Sequence, residues 1–344
     1  MTGKIIVRDY ELLPVPASLV ADASYYLSPD VQINTTYTRP FILTPDGDMV
    51  AASVAGAVGY ISMFNVSRDQ FESYYDGHSG VHWPLQGIYI GAEQYQTVMQ
   101  AAATNQIASI RIDATSGDVS VPEIFATLPG QINETIVVVS HTDGATYVQE
   151  NGPVALLTLA RYFASLPLTA RRNTLKFAFT ASHLAFQRDS DKTLALSIDA
   201  TYENSDVSMV IAIEHLGTRE LLPFPAPNDI PGNVLNFTGK GELLLWAVRP
   251  VDPAISVVTS VARNRDLDNL VVAPGFPPSD PAKLPTYASF GGIGTYYHDA
   301  LVPTMALISG PWSLWAPSFG AEALGYGRLR DQYMAIGDVI LRLS

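Results

Sequence analysis

Cysteine is absent from the 344-residue chain. Thiolate nucleophiles, disulfides and Cys-ligated zinc are thereby excluded, and any reactive site must be built from carboxylate, imidazole and hydroxyl groups. Positive charge is scarce: 20 Lys and Arg stand against 33 Asp and Glu, a formal charge of -13. No basic run breaks this acidic character, which repels phosphate backbones, so nucleic acid is not an expected partner. No apolar run is long enough to cross a bilayer, so no membrane span is expected either. Histidine numbers only six, which makes the address of each one informative.

Apolar residues, at 47%, are plentiful enough for one large core or two smaller ones. Sparse charge with much Gly, Pro, Ser, Thr and Tyr suits an extracellular chain. Four N-x-S/T sequons, at Asn34, Asn65, Asn133 and Asn236, point the same way, because the motif is used only in a secretory lumen. The opening MTGKIIVRDY carries no signal peptide, since Lys4, Arg8 and Asp9 interrupt any apolar core. A secreted protein would then take its targeting segment from outside this sequence.

Residues 3–9 read as a strand, and the next forty as turn-rich. VAASVAGAVGYISMF (50–64) reads as a helix followed by a strand at Tyr60 to Phe64, and GIYIGAEQYQTVMQAAA as a strand at Gly87 to Ile90 with a helix from about Ala92. IASIRID (107–113) adds another expected strand, and this small α/β unit ends near Asp118. Beyond it, ETIVVVSHTDG, LKFAFTASH, SMVIAIEHLG and PTMALISGP are four apolar strands separated by helical stretches. That order predicts a mostly parallel sheet with helices on both faces. NGPVALLTLARYFASL is a helix with a stripe through Leu156, Leu159, Ala160 and Phe163. Leu329, Tyr333, Ile336, Ile340 and Leu343 mark an amphipathic closing helix. Segments 222–232 and 273–285 are rich in Pro and Gly and read as long surface loops.

Polar groups recur at the ends of the four strands. His141 and Asp143 follow the first, Ser182 and His183 the second, Glu214 and His215 the third, and Ser309 the fourth. Ligands bind outside the carboxyl ends of strands in open parallel sheets, so these chain-distant groups share one candidate site. His141 can be a metal ligand oriented by Asp143, or a hydrogen-bonded loop histidine. Glu150 sits just before a helix, where its charge favours the N-terminus, and could also bridge two metals. Glu214 follows an apolar run, where an unpaired carboxylate is costly. His78 and His82, in DGHSGVHW with Asp76, are four apart on a Gly-rich loop that does not hold helical ligand geometry, so a surface loop or interdomain contact is the favoured reading. No G-x-S-x-G elbow supports a serine hydrolase.

In their order and spacing, HTDG (141–144), ENGPVALLTLARYFA (150–164), LKFAFTASHLAF (175–186) and VIAIEHLG (210–217) resemble the co-catalytic zinc peptidase superfamily M28. Its pattern runs H-x-D, a D-N-x-S-G that opens a helix, E-E after the next strand, D-M-x-G after another, and a final His. GKIIVRD and VAGAVGYISMF resemble the protease-associated (PA) domain often inserted before the H-x-D strand. The resemblance implies a PA-like domain over 1–120 and a peptidase-like domain over 121–344. That second domain would lack its usual first elements, which would lie upstream, come from another chain, or be dispensed with in a shortened sheet.

The resemblance also implies roles. His141 matches the histidine ligand and Asp143 its orienting aspartate. Glu150 stands at the bridging aspartate and Glu214 at an aspartate ligand. Ser182 and His183 fall on the E-E pair, whose first member is the general base. No histidine follows PTMALISGP, and His298 lies before it. A metal set of His141, Glu150 and Glu214 remains, with His183 a substitute ligand or base. A two-metal hydrolase needs both ions and a base. The implied function is therefore an extracellular M28-like protein without peptidase activity, which binds no cofactor and acts with protein partners or by self-association. The alternative is a divergent zinc hydrolase acting on peptides.

Overall fold

A computed structural model describes the chain apart from residues 11, 13, 40–45, 74–83, 116, 185–189, 205, 252, 275–289 and 344. The pair His78 and His82 and most of segment 273–285 lie outside the described residues.

The chain opens with β1 (Ile5–Asp9), β2 (Val15–Pro16), α1 (Ala17–Asp22), β3 (Tyr26–Leu27), β4 (Thr36–Tyr37), α2 (Asp46–Val54), β5 (Gly59–Met63), β6 (Gly87–Ile90) and α3 (Tyr95–Ala103). Strands β1, β5 and β6 form a small parallel sheet, with Ile5 to Asp9 in register with Gly59 to Met63. Met49 and Ala52 of α2 pack with Tyr60 and Leu85 beneath it. β3 belongs elsewhere: it pairs antiparallel with the far edge of the large sheet. Residues 107–113 form no strand. Ile107 and Ile112 are exposed, so the alternation in IASIRID has no second surface to bury against.

The larger part contains β7 (Ile124–Leu128), β8 (Ile132–His141), α4 (Asn151–Ser165), β9 (Asn173–Thr180), α5 (Ser190–Ala200), β10 (Val207–Ile213), β11 (Arg219–Pro225), β12 (Asn233–Gly241), β13 (Leu244–Val248), α6 (Ala254–Asn264), β14 (Leu270–Ala273), α7 (Gly294–Asp299), β15 (Thr304–Ile308) and α8 (Tyr326–Leu343). Eight strands make one sheet in the order β3-β14-β13-β15-β10-β8-β9-β7. Its centre, β15-β10-β8-β9, is wholly parallel and consists of the four apolar strands expected from the sequence. Antiparallel pairing is confined to β7, β3 and the β13–β15 junction.

Both faces are covered, which explains the unbroken apolar runs. Ile136 and Val138 of β8 pack with Leu156 and Phe163 of α4, Val258 and Val261 of α6, and Ile336 and Ile340 of α8. Val137 and Val139 point the other way, to Ala195 of α5 and Tyr297 of α7. Each fully buried Leu, Ile or Phe on these faces contributes roughly 1.5–3 kcal/mol. No helix among the described residues is long and apolar enough to cross a membrane.

Segment 222–232 is not a loop throughout. β11 and β12 form an antiparallel hairpin in which Leu221 and Leu235 are buried, and only the residues beyond Pro225 turn. The two-stranded sheet tolerates Pro223 and Pro225 because proline is accommodated on edge strands. A third apolar cluster joins Phe64, Val66 and Phe71 of the small part to Leu221 and Leu235 of the hairpin and to Trp312 and Trp315 after β15. The small sheet is thus fastened beside the carboxyl edge of the large one.

Candidate metal centre

Register brings the candidate residues together. Val139 of β8 lies opposite Ala212 of β10, and His141 opposite Thr180 of β9. Two residues past Val139 is His141, and two past Ala212 is Glu214. On neighbouring parallel strands they therefore reach the same level and the same face. His183 follows β9 by three residues, after Ser182 turns the chain through φ +64. The three side chains are all buried, and one ligand atom from each lies within 4.8 Å of the others.

The contacts are specific. His141 is 1% exposed, its Nδ1 lies 3.3 Å from Asp143 Oδ1, and its Nε2 lies 3.4 Å from Glu214 Oε2. Asp143 uses its second oxygen to accept the Leu184 N–H at 2.8 Å, which ties the loop after β8 to the residue after His183. The His183 ring centroid stands 4.6 Å from that of His141. Glu214 Oε1 accepts the Ile293 N–H at 2.8 Å. Gly292, at φ +51, makes that approach possible, because a Cβ there would overlap the Glu214 carboxylate. This support was missed in the sequence, although the GGIG stretch is the kind of signal that marks a backbone approach.

Burial opposes charge on His141, but the carboxylates of Asp143 and Glu214 outweigh it and hold the imidazole up, to about 10. Burial would likewise raise Glu214, yet the His141 imidazolium close beside it holds it down, to about 2. Without an ion the two form a buried ion pair, although neither His141 Nε2 nor Glu214 Oε2 makes a hydrogen bond. Buried nitrogen and carboxylate oxygen atoms that converge without hydrogen bonds suit one divalent cation, and zinc takes such donors.

The remaining candidates are placed differently. Glu150 is not in the group: its Oε1 accepts the Gly144 N–H at 2.8 Å, so the carboxylate closes the loop before α4. Burial raises its pKa. Asn151 beside it exchanges two hydrogen bonds with the Leu216 backbone, at 2.6 and 2.7 Å, fixing α4 to the end of β10. His215, at φ +52, donates from Nδ1 to the Ser309 carbonyl at 2.8 Å, because a carbonyl can only accept. Ser309 Oγ donates back to the His215 carbonyl. His298 lies in α7, stacked on Phe290 with ring centroids 4.5 Å apart, and is outside the group. Two non-glycine residues with positive φ, Ser182 and His215, thus flank the centre, which is where backbone strain concentrates in functional sites.

No family model matches the sequence, and no curated protein matches it. Solved structures do. An aminopeptidase from Aneurinibacillus sp. strain AM-1 superposes on 99% of this chain and 74% of its own, at 12% identity and a TM-score of 0.52. Porphyromonas gingivalis glutaminyl cyclase covers 64% of this chain and 76% of its own, at 11% identity and a TM-score of 0.44. Nicastrin, a γ-secretase component, covers 83% of this chain and 61% of its own, at 12% identity and a TM-score of 0.46. The first of these carries the fold: the chain has an aminopeptidase-like α/β fold.

Proposed function

We propose that this protein is a secreted, glycosylated relative of the M28 peptidases that does not cleave peptides by a two-metal route and works through binding or assembly. Its residues 1–120 serve as a PA-like domain. The observation that carries this reading is the loss of carboxylates at the centre. Ser182 and His183 stand where the resemblance places the base and a ligand, and Glu150 is engaged by the Gly144 N–H. A hydrolase of that kind without its general base loses several powers of ten in rate.

A second reading, with one ion, is favoured by the unbonded Nε2 of His141 and Oε2 of Glu214. His141, His183 and Glu214 would hold the ion, with Asp143 orienting the first. A bound zinc ion supplies Lewis acidity. Residues of this chain supply the rest: Asp143 keeps the His141 Nδ1 proton in place, and the Ile293 N–H aims the Glu214 carboxylate.

Metal analysis combined with turnover of an unblocked peptide library tests both readings. At most one zinc ion per chain and no metal-dependent cleavage are expected. Two tightly held ions, with cleavage abolished by Glu150→Ala, would overturn the proposal. Secretion is read separately, by intact mass before and after glycan removal on protein from its native source. All four sequon asparagines are exposed, as acceptor sites must be.

A further inference from the structure

In the small sheet, β1 ends at Asp9 and β5 at Met63, and both ends face the turn of the β11–β12 hairpin across a cleft of about 340 Å³. Carboxyl ends of parallel strands and clefts between structural units are where small-molecule sites concentrate. The walls include Asp9, Tyr10, Asn65, Tyr95, Gln96 and Gly232, and among the described residues no Lys or Arg lines them. The absence of cations removes the usual recognition of phosphate and carboxylate. Two phenol rings, two amides and a carboxylate suit a neutral polyhydroxylated ring. Its C–H face can lie on an aromatic ring while its hydroxyls find both donors and acceptors.

The cleft is preformed. Asn233 donates its backbone N–H and its side-chain amide to the Asn65 carbonyl at 3.1 and 3.0 Å, and the Ser67 N–H donates to the Asn233 carbonyl at 2.8 Å. Gly232, at φ +85, lets the hairpin turn reach the wall, since a Cβ there would overlap Ala92 and stand 2.9 Å from Asn65 Oδ1. A second, independent observation also points to sugar: Asn65 opens the sequon Asn65-Val66-Ser67, and it is exposed.

We infer that this cleft is a saccharide site of the N-acetylhexosamine class, filled either by the stem of a glycan on Asn65 or by an untethered saccharide. The inference does not depend on the metal centre.

Two arms separate the sources. In protein from a bacterial host without N-glycosylation, saturation-transfer NMR with chitobiose reads the untethered source. Binding is expected, weakened about tenfold or more by Tyr95→Ala and by the exposed Asp9→Asn. In protein secreted from a eukaryotic host, glycopeptide mapping reads the tethered source. Asn65 is expected to be occupied, and its glycan to be released by glycosidase more slowly than that of Asn34 unless Tyr95→Ala frees it. Either arm, with its dependence on Tyr95, supports the site. Chitobiose binding that survives both substitutions overturns it. So does a lack of binding together with an Asn65 that is unoccupied, or whose glycan is released equally fast in wild type and Tyr95→Ala.

Discussion

Glu242 and Glu214 are both buried to 1% exposure or less, and their surroundings differ in one respect. Glu242 is hydrogen-bonded at both oxygens. Its two oxygens accept the Arg39 guanidinium at 3.0 and 3.2 Å, one of them also accepts the Leu243 N–H at 3.0 Å, and the cation lies over the Tyr37 ring. Glu214 has one oxygen fixed by a backbone N–H and the other aimed at an imidazole without a hydrogen bond. Burial raises the Glu242 carboxyl and Arg39 offsets this only in part, whereas His141 holds Glu214 far down despite the same burial. A carboxylate with both oxygens hydrogen-bonded is a fastener, here between the N-terminal stretch and the end of the hairpin. One that keeps an oxygen in reserve beside two imidazoles is arranged as a ligand.

The largest expected effect breaks the fastener. Arg39→Met leaves Glu242 buried without its cation and should cost about 3–5 kcal/mol of unfolding free energy, read by urea denaturation. Replacing both, as Arg39→Met with Glu242→Leu, should recover most of that loss, because no charge is then stranded. A single variant with the wild-type denaturation midpoint would erase the distinction between the two glutamates.

Zinc should separate the two regions next. At a hundredfold excess over its Kd, an ion held by His141, His183 and Glu214 would stabilise the fold by about 2.7 kcal/mol. His183→Ala should remove that increment, and so should Gly292→Ala, whose methyl group displaces the Glu214 carboxylate. Arg39→Met should keep the increment while lowering the baseline. A zinc-dependent rise in Tm that persists in His183→Ala would mean the ion sits elsewhere.

The same contrast shows what could be read from the residues alone. Apolar runs ending in His141, His183 and Glu214 were legible because a doubly covered parallel strand is apolar at every position, so a polar residue at its end stands out. β13, β14 and the hairpin were not foreseen. LLWAV and LVVA are short, and the alternation in β11 is masked by prolines at 223 and 225. The Arg39–Glu242 pair spans 203 positions, and nothing local in either residue marks it. Glu150 is a candidate ligand by its match to a pattern; that its carboxylate accepts the Gly144 N–H is a tertiary detail that no local pattern carries. β3, two residues that close the far edge of the large sheet, carries no periodicity at all.

The last expected effect is on pH dependence in the presence of a chelator, and its sign follows from the pair itself. An imidazole raised from its ordinary 6.5 to about 10 gives stability that is full below about pH 6.5 and lost as pH rises through 10. A carboxyl lowered from 4.5 to about 2 gives stability that is full above about pH 4.5 and lost as pH falls through 2. Both contributions are therefore complete only between about pH 4.5 and pH 6.5. Glu214→Gln removes that carboxyl's own acid contribution, while Asp143, also held down, keeps its share. The substitution should also move the alkaline limb to lower pH, since Asp143 alone then holds the His141 proton. Glu242→Gln should leave that alkaline limb in place, because Glu242 is paired with Arg39 rather than with a histidine. Stability of the three proteins, measured by chemical denaturation from about pH 4 to about pH 10, gives the comparison directly. A Glu214→Gln curve parallel to wild type over that whole range would show that His141 and Glu214 do not share a proton-linked contact, and the ligand-like character of Glu214 would fall with it.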